Sequence, residues 1–341
     1  MIPRTYRRIV LVNRPGGEPS ASDFRIEEAP VPEPGPKEIL VRIVYLSLDP
    51  YMRGRMRDAP SYAPHVELGA VMVGGTVGEV VASNHPGYSV GDIVEASLGW
   101  QEYAIGPTPT MRKVDPSIAP ISTANGVLGM PGLTAYFGLF EVGVPKPGDT
   151  VVISAASGAV GQVAGQLAKF AGCRVVGIAG GEKKCAFITD ELGYDQAVDY
   201  RAGGDLTAAV KAAAPEGVDV YFDNVGGEVS DAVLRNLNVW SRVVLCGSVS
   251  QYNTSESGPR LMGSFVGKRV TARGFLVFDY AARYGPALNR LGLLVTRGHL
   301  KYREDIVEGI ESAPAAFIGM LRGNNFGKLQ VKLGLEPATK G

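Results

Sequence analysis

Up to about residue 110 the apolar positions fall in short runs rich in β-branched and aromatic residues: RRIVLV, EILVRIVYLSL, VMVGGTVGEVVAS, DIVEASL and QEYAI. Each run is bounded by glycine or proline. Runs of this length that stop at turn formers predict strands, and several in succession predict a small, mostly β domain. Beyond about residue 125 the rhythm changes. VVIS is followed by a helical stretch, then RVVGIAG, a second helix, QAVDY, DLTAAVKAAAP, VDVYFDNV, SDAVLRNL and RVVLCGS. Strands that alternate with helices at this spacing predict a parallel sheet covered on both faces. From about residue 302 a short strand (REDIVEG), a helix (APAAFIGML) and a closing strand (GKLQVKL) follow, and this tail is expected to return to the first domain. The division expected is therefore 1–125, 126–301 and a returning 302–341, which fits a chain of 341 residues holding two domains.

The most informative segment follows the strand TVVIS. Ala155, Ala156, Ser157, Gly158, Ala159, Val160 and Gly161 form a small-residue loop, after which Val160, Val163, Ala164, Leu167 and Ala168 recur at helical spacing. The 28 residues from Val151 to Ile178 are the length of one strand–helix–strand unit. In such a unit a dinucleotide's pyrophosphate sits on the helix N-terminus. Ala156 stands where the GxGxxG fingerprint has its first glycine, while Gly158 and Gly161 hold the second and third. A dinucleotide site that prefers NAD ends its next strand on a carboxylate, roughly 20 residues after the fingerprint. Here that place holds Ala179, Gly180 and Gly181, followed by Glu182, Lys183 and Lys184. With no carboxylate to repel a 2′-phosphate and lysines able to pair with one, NADP is the expected cofactor.

Composition narrows the picture. Lys and Arg total 34 and Asp and Glu total 34, so the chain lacks the basic footprint of a nucleic-acid or anionic-membrane binder. Glycine is over-represented at 45 residues, which points to tight turns and close backbone approach. The uncharged stretches 116–140 and 150–168 are broken by prolines, glycines, serines and glutamines, so neither reads as a membrane span. The N-terminal MIPRTYRRIVLV lacks the long apolar run and small-residue cleavage site of a secretory signal. A cytoplasmic protein is expected. Cys173, Cys185 and Cys246 are odd in number and have no CxxC spacing, which predicts reduced thiols rather than a disulfide framework.

The chemistry that is missing matters as much. The three histidines, His65, His85 and His299, stand at no metal-ligand spacing from one another or from a cysteine, and there is no YxxxK pair. Oxidising an alcohol by hydride transfer needs its proton removed by a metal or a base of lowered pKa. Reducing an activated C=C bond needs only a hydrogen-bond donor for the charge that develops on oxygen. The run from Gly87 to Gly91 matches the GxSxG nucleophile elbow, but Ser89 sits between a turn and a strand-like run instead of between strand and helix, so a hydrolase is not expected.

The segment AASGAVGQVAGQLAKFAGCRVVGIAGG, together with LSLDPYMRGRM, GMPGLTAYFGL, FDNVGG, CGSVSQYN and NNFGKL, resembles the zinc-free medium-chain dehydrogenase/reductases over nearly the whole chain. The branch it resembles holds the leukotriene and prostaglandin reductases, the alkenal double-bond reductases and the bacterial curcumin reductase. The resemblance implies an α/β fold in which a Rossmann-like doubly wound parallel-sheet domain accompanies a GroES-like, mostly β domain. It also implies a cleft between the two, NADPH as hydride donor, a small enone or enal substrate, and a homodimer without metal. Position by position, it implies that the loop from Ala155 to Gly161, with Gly181, holds the phosphates. Lys184 and Tyr200 match residues that contact the adenosine 2′-phosphate. Asn224 matches a residue under the cofactor, and Cys246, Gly247, Ser248 and Tyr252 match a segment beside the nicotinamide ribose. Phe275, Leu276, Val277 and Asn325 match residues that close around the nicotinamide. Tyr51 and Tyr252 match tyrosines that face the substrate. His65 and Glu67 lie where zinc-dependent relatives carry ligands, but the partner cysteines are absent. The activity implied is reduction of α,β-unsaturated aldehydes and ketones, with a quinone oxidoreductase or a non-catalytic NADPH-binding protein as alternatives.

Overall fold

The computed structural model describes residues 2–253 and 262–337. The chain divides into two compact units, one formed by 1–125 together with 304–341 and the other by 126–303.

The first unit is built on antiparallel strands. β1 (Thr5–Leu11) and β2 (Phe24–Pro30) pair with each other. β3 (Ile39–Ser47), β4 (Thr76–Ser83), β5 (Ile93–Ala96), β6 (Tyr103–Gly106) and β7 (Arg112–Val114) make most of a second sheet, in which β6 pairs β3 alongside the main path. β3 is buried at eight of its nine positions, the pattern of a strand enclosed on both faces. Beyond β6, the end of its edge from Tyr45 to Ser47 is taken by the tail. β14 (Glu304–Glu308) runs parallel to β15 (Lys328–Lys332), and β15 lies antiparallel to β3 with Gln330 opposite Ser47 and Val331 opposite Leu46. Trp100, fully buried, stacks on Phe24 with ring centroids 5.4 Å apart and meets Phe317 of the tail edge-on.

In the second unit all six strands are parallel: β8 (Thr150–Ser154), β9 (Arg174–Ala179), β10 (Gln196–Asp199), β11 (Val218–Asp223), β12 (Leu237–Leu245) and β13 (Thr271–Gly274). Their order is β10-β9-β8-β11-β12-β13. The chain steps outward twice from β8, then returns to the other side of it. The order therefore reverses between β8 and β11, and the crevice outside the strand C-termini at such a point is where doubly wound sheets bind ligands. β8 is buried at every position, which fits a central strand with a helix on each face.

The helix after β8, Gly161–Phe170, is buried from Gly161 to Ala168, wider than an amphipathic stripe. Its two glutamines account for the excess. Gln162 and Gln166 each exchange paired hydrogen bonds with the backbone of the segment 301–303: Arg303 N donates to Gln162 Oε1 at 2.8 Å and Gln166 Nε2 donates to the Lys301 carbonyl at 2.8 Å. Buried amides with full partners carry no desolvation penalty beyond that of a backbone ladder.

Candidate active site

The loop that follows β8 turns within two residues. Ala155 takes a left-handed conformation with φ +49°, and Gly158 N donates to the Ala155 carbonyl at 2.9 Å. Ala156 N is bonded to the Ile178 carbonyl of β9 at 3.0 Å, which pins the loop to the sheet. Gly161 has no room for a side chain, because a Cβ there would lie 2.4 Å from the Ala155 oxygen and 2.7 Å from Ala156 Cα. Gly158 is less constrained, its nearest neighbour being the same oxygen at 3.1 Å. The amides of Gln162 and Ala164 are taken by the carbonyls of Gly158 and Val160. Among the described residues, those of Ala159, Val160 and Gly161 face no acceptor. Three backbone N–H groups left open at a helix N-terminus form a donor set for an anion.

The loop is also held from below. Tyr194, fully enclosed, donates its phenol to the Gly161 carbonyl at 2.7 Å, and its ring occupies the space where Gly165 would carry a side chain. Sequence reading missed this tyrosine. Its position relative to Gly165 is set by a loop after β9, and no short spacing signals it.

At the end of β9 the absent carboxylate has a counterpart one strand over. Asp199, on β10 opposite Ala179, accepts from Gly181 N and Arg201 N at 2.8 Å each. Its charge is thereby committed to the backbone of the turn. Gly181 has φ +92° and begins the short helix Glu182–Ala186 that carries Lys184, whose own amide bonds back to the Gly181 carbonyl. Tyr200 lies flat against Gly180, with ring atoms 2.8–2.9 Å from where a Cβ would be, and the Arg201 guanidinium stands 5.6 Å from its ring centroid. Gly181 and Lys184 thus follow β9 while Tyr200 follows the neighbouring β10 and packs on Gly180, with Arg201 as a further cation that sequence reading passed over.

Next to β8, Asn224 directly follows β11. It makes two bonds to Ser154, its amide to Oγ and its Nδ2 to the carbonyl, both at 2.8 Å, so it ties the two strands together across the switch point. Asp223, 3% exposed, accepts from Tyr221, Val225, Gly226 and Ser154 through one oxygen. Its carbonyl receives the amides of Cys246 and Gly247 from the end of β12. Burial, reinforced by the Asp223 charge, pushes the Cys246 thiol up to about 12, so it is a neutral packed group at physiological pH. Ser248 opens the turn Val249–Gln251, and this turn brings the Tyr252 hydroxyl back to within 3.5 Å of the point where Gly247 would carry a Cβ.

Phe275 follows β13 with its ring against Gly138, beside Phe222. Leu276 is half-buried, and Val277 is packed in a cluster with Leu133, Phe137 and Ala287. Tyr51 and Asn325 belong to the first unit. Asn325 Nδ2 donates to the Gly327 carbonyl at 2.9 Å, capping its own turn. Tyr51 opens the turn Met52–Arg55, with the Arg55 guanidinium 5.8 Å from its ring centroid and 4.7 Å from that of Tyr62. Burial and then the Asp49 charge push the Tyr51 phenol well above its usual range, so it keeps its proton. Among the described residues, no cluster of three or more His, Cys, Asp or Glu side chains could hold a metal.

Residues 7–114 match the family described as the N-terminal domain of oxidoreductase, and residues 159–291 match the one described as zinc-binding dehydrogenase. The chain is 47% identical to the NADPH-dependent curcumin reductase of Escherichia coli (strain K12) over 334 residues, 96% of each chain. It belongs to the medium-chain dehydrogenase/reductase family. The 2-alkenal reductase (NADP(+)-dependent) of Nicotiana tabacum is 42% identical over 97% of this chain and 98% of that one. CurA from Vibrio vulnificus, solved in complex with NADPH, superposes with a TM-score of 0.92 at 48% identity over 97% of this chain and all of that one. For this medium-chain reductase the donor set suits NADPH. Open amides at the helix N-terminus are donors suited to an anion, and Lys184 and Arg201, after β9 and β10, are cations of the kind that could hold a further phosphate.

Proposed function

We propose that this protein is an NADPH-dependent reductase of the C=C bond in α,β-unsaturated aldehydes and ketones. The observation that carries the reading is the near-full-length similarity to curcumin and 2-alkenal reductases, on a chain whose helix N-terminus leaves the amides of Ala159, Val160 and Gly161 open. When bound, NADPH supplies a hydride to the β-carbon of the substrate. The chain's own residues orient and stabilise. Ala159, Val160 and Gly161 bind the pyrophosphate; Gly181, Lys184 and Tyr200 hold the 2′-phosphate; Asn224 and the segment from Cys246 to Ser248 support the ribose side; Phe275, Leu276, Val277 and Asn325 shape the nicotinamide end. Tyr252 donates to the substrate oxygen as negative charge develops there, with Tyr51 as the second phenol facing the substrate.

No metal takes part, a reading supported by the lack of a ligand cluster among the described residues; activity should persist in a strong chelator with no stoichiometric zinc present. The enzyme acts in the cytoplasm as a homodimer. Supporting the dimer, β13 ends its sheet with all four residues exposed, and Trp240 and Val239 on β12 and Val266 on the helix before β13 stand 68%, 48% and 80% exposed. Light scattering at micromolar concentration that returns the monomer mass would overturn the dimer. The activity is tested by NADPH consumption against a panel running from short alkenals to bulky diaryl enones, with quinones alongside. Turnover of quinones and of no enone would overturn the reading.

A further inference from the structure

The first unit holds a buried charge that the mechanism above does not use. Lys328, on β15, is 2% exposed, and its ammonium donates to Ser47 Oγ at 2.6 Å, to the Leu48 carbonyl at 3.0 Å and to Asp49 Oδ1 at 2.7 Å. Ser47 Oγ donates in turn to the other oxygen of Asp49, itself 6% exposed. All three ammonium hydrogens are therefore satisfied. Such a pair is a poor device for stability alone, since apolar side chains of similar volume do as well or better in a core. What it supplies is position. The three acceptors lie on consecutive residues at the end of β3, directly before Pro50, whose ring fixes its φ, and Tyr51. The turn then continues with Met52 N donating to the Asp49 carbonyl and Arg53 N to that of Pro50. Arg53 anchors its far side by donating to the carbonyls of Pro15 and Gly17.

We propose that Lys328 is a positioning residue for the reduction: by gripping Ser47, Leu48 and Asp49 together it fixes the turn that presents Tyr51. The inference rests on Tyr51 facing the substrate, and the experiment separates the two. Lys328→Met alone strands the Asp49 charge, so the variant to compare is K328M/D49N, with Y51F and the triple variant completing a cycle. The clamp predicts a melting temperature within a few degrees of wild type and an NADPH Kd within twofold. Enone kcat/KM should fall at least tenfold, and the triple variant should lose nothing beyond Y51F. Wild-type kcat/KM in K328M/D49N, or an equal further loss in the Y51F background, would overturn it.

Position is also read directly, by ¹⁹F NMR of protein labelled with fluorotyrosine, the Tyr51 line being assigned by its loss in Y51F. A single line that broadens or splits in K328M/D49N supports the clamp, and an unmoved line overturns it. Should Y51F turn over enones at the wild-type rate, the substrate role of Tyr51 fails while the ¹⁹F line still decides the clamp. Should K328M/D49N not fold, Ser47→Ala, which removes one acceptor and leaves the ion pair, takes its place with the same two ¹⁹F outcomes.

Discussion

At the scale of single residues, Lys184 and Tyr252 carry separable predictions. A charge-assisted contact to phosphate is worth about 1.5–3 kcal/mol. Lys184→Ala should therefore raise the NADPH KM about tenfold or more and leave NADH almost unaffected, as steady-state kinetics with both cofactors would show. Equal losses would mean that Lys184 does not read the phosphate. Tyr252→Phe removes a donor whose value grows as charge develops on the substrate oxygen, so kcat on enones should fall about tenfold to a hundredfold with NADPH Kd within a few fold. An unchanged kcat would leave Tyr252 as packing. Only the small residues of the loop and the lysines where a carboxylate belongs were legible from residue type and place; Tyr252, Tyr51, Asn224, Phe275 and Asn325 were named through the family resemblance. Asp199, Asp223, Ser154 and Tyr194 escaped notice because their work is to hold backbone across strands that are far apart in sequence. A single sequence shows what a residue is, and register between parallel strands decides which backbone it reaches.

At the scale of elements, the β8 loop and its helix test how much of the site depends on shape. Gly161→Ala puts a methyl 2.4 Å from the Ala155 oxygen and 2.7 Å from Ala156 Cα, both backbone atoms, whereas Gly158→Ala meets one oxygen at 3.1 Å. The first substitution should weaken NADPH binding at least tenfold by calorimetry and the second much less. Comparable losses would show that the loop yields freely. This element was the most legible part of the chain, since its fingerprint, helical spacing and strand spacing all agree. The switch between β8 and β11 was less so. Alternation of strands and helices predicts a parallel sheet, but the reversal of strand order that sites the crevice comes from which neighbour each strand finds.

At the scale of the molecule, a half-buried carboxyl gives stability a particular dependence on pH. Glu304 accepts from Ser122 Oγ at 2.8 Å and Gln330 Nε2 at 3.0 Å, and burial raises its pKa despite both bonds. A carboxyl with a raised native pKa holds its proton more tightly folded than unfolded. Its contribution is full below the unfolded pKa and is lost as pH climbs through the native one. Glu304→Gln cannot ionise and keeps both partners if its oxygen accepts from Gln330 while its amide donates to the Ser122 hydroxyl, so it should raise Tm at pH 8 and give no gain near pH 4. Calorimetric scans across that range would check it, and a Tm gain at the acid end instead would show that Glu304 is stabilised as the anion.

The return of the tail to β3 has a consequence for how the chain comes off the ribosome. Residues 126–303 are contiguous, so the parallel sheet has all six strands as soon as that stretch is synthesised. The first unit, begun earlier, finishes later. Until β15 emerges, β3 has an unclosed edge opposite Gln330 and Val331, and Asp49 waits for its lysine some 279 residues downstream. Loop closure over that distance follows local assembly. The half made first is therefore completed last, and its open edge is the surface that a nascent-chain chaperone would meet.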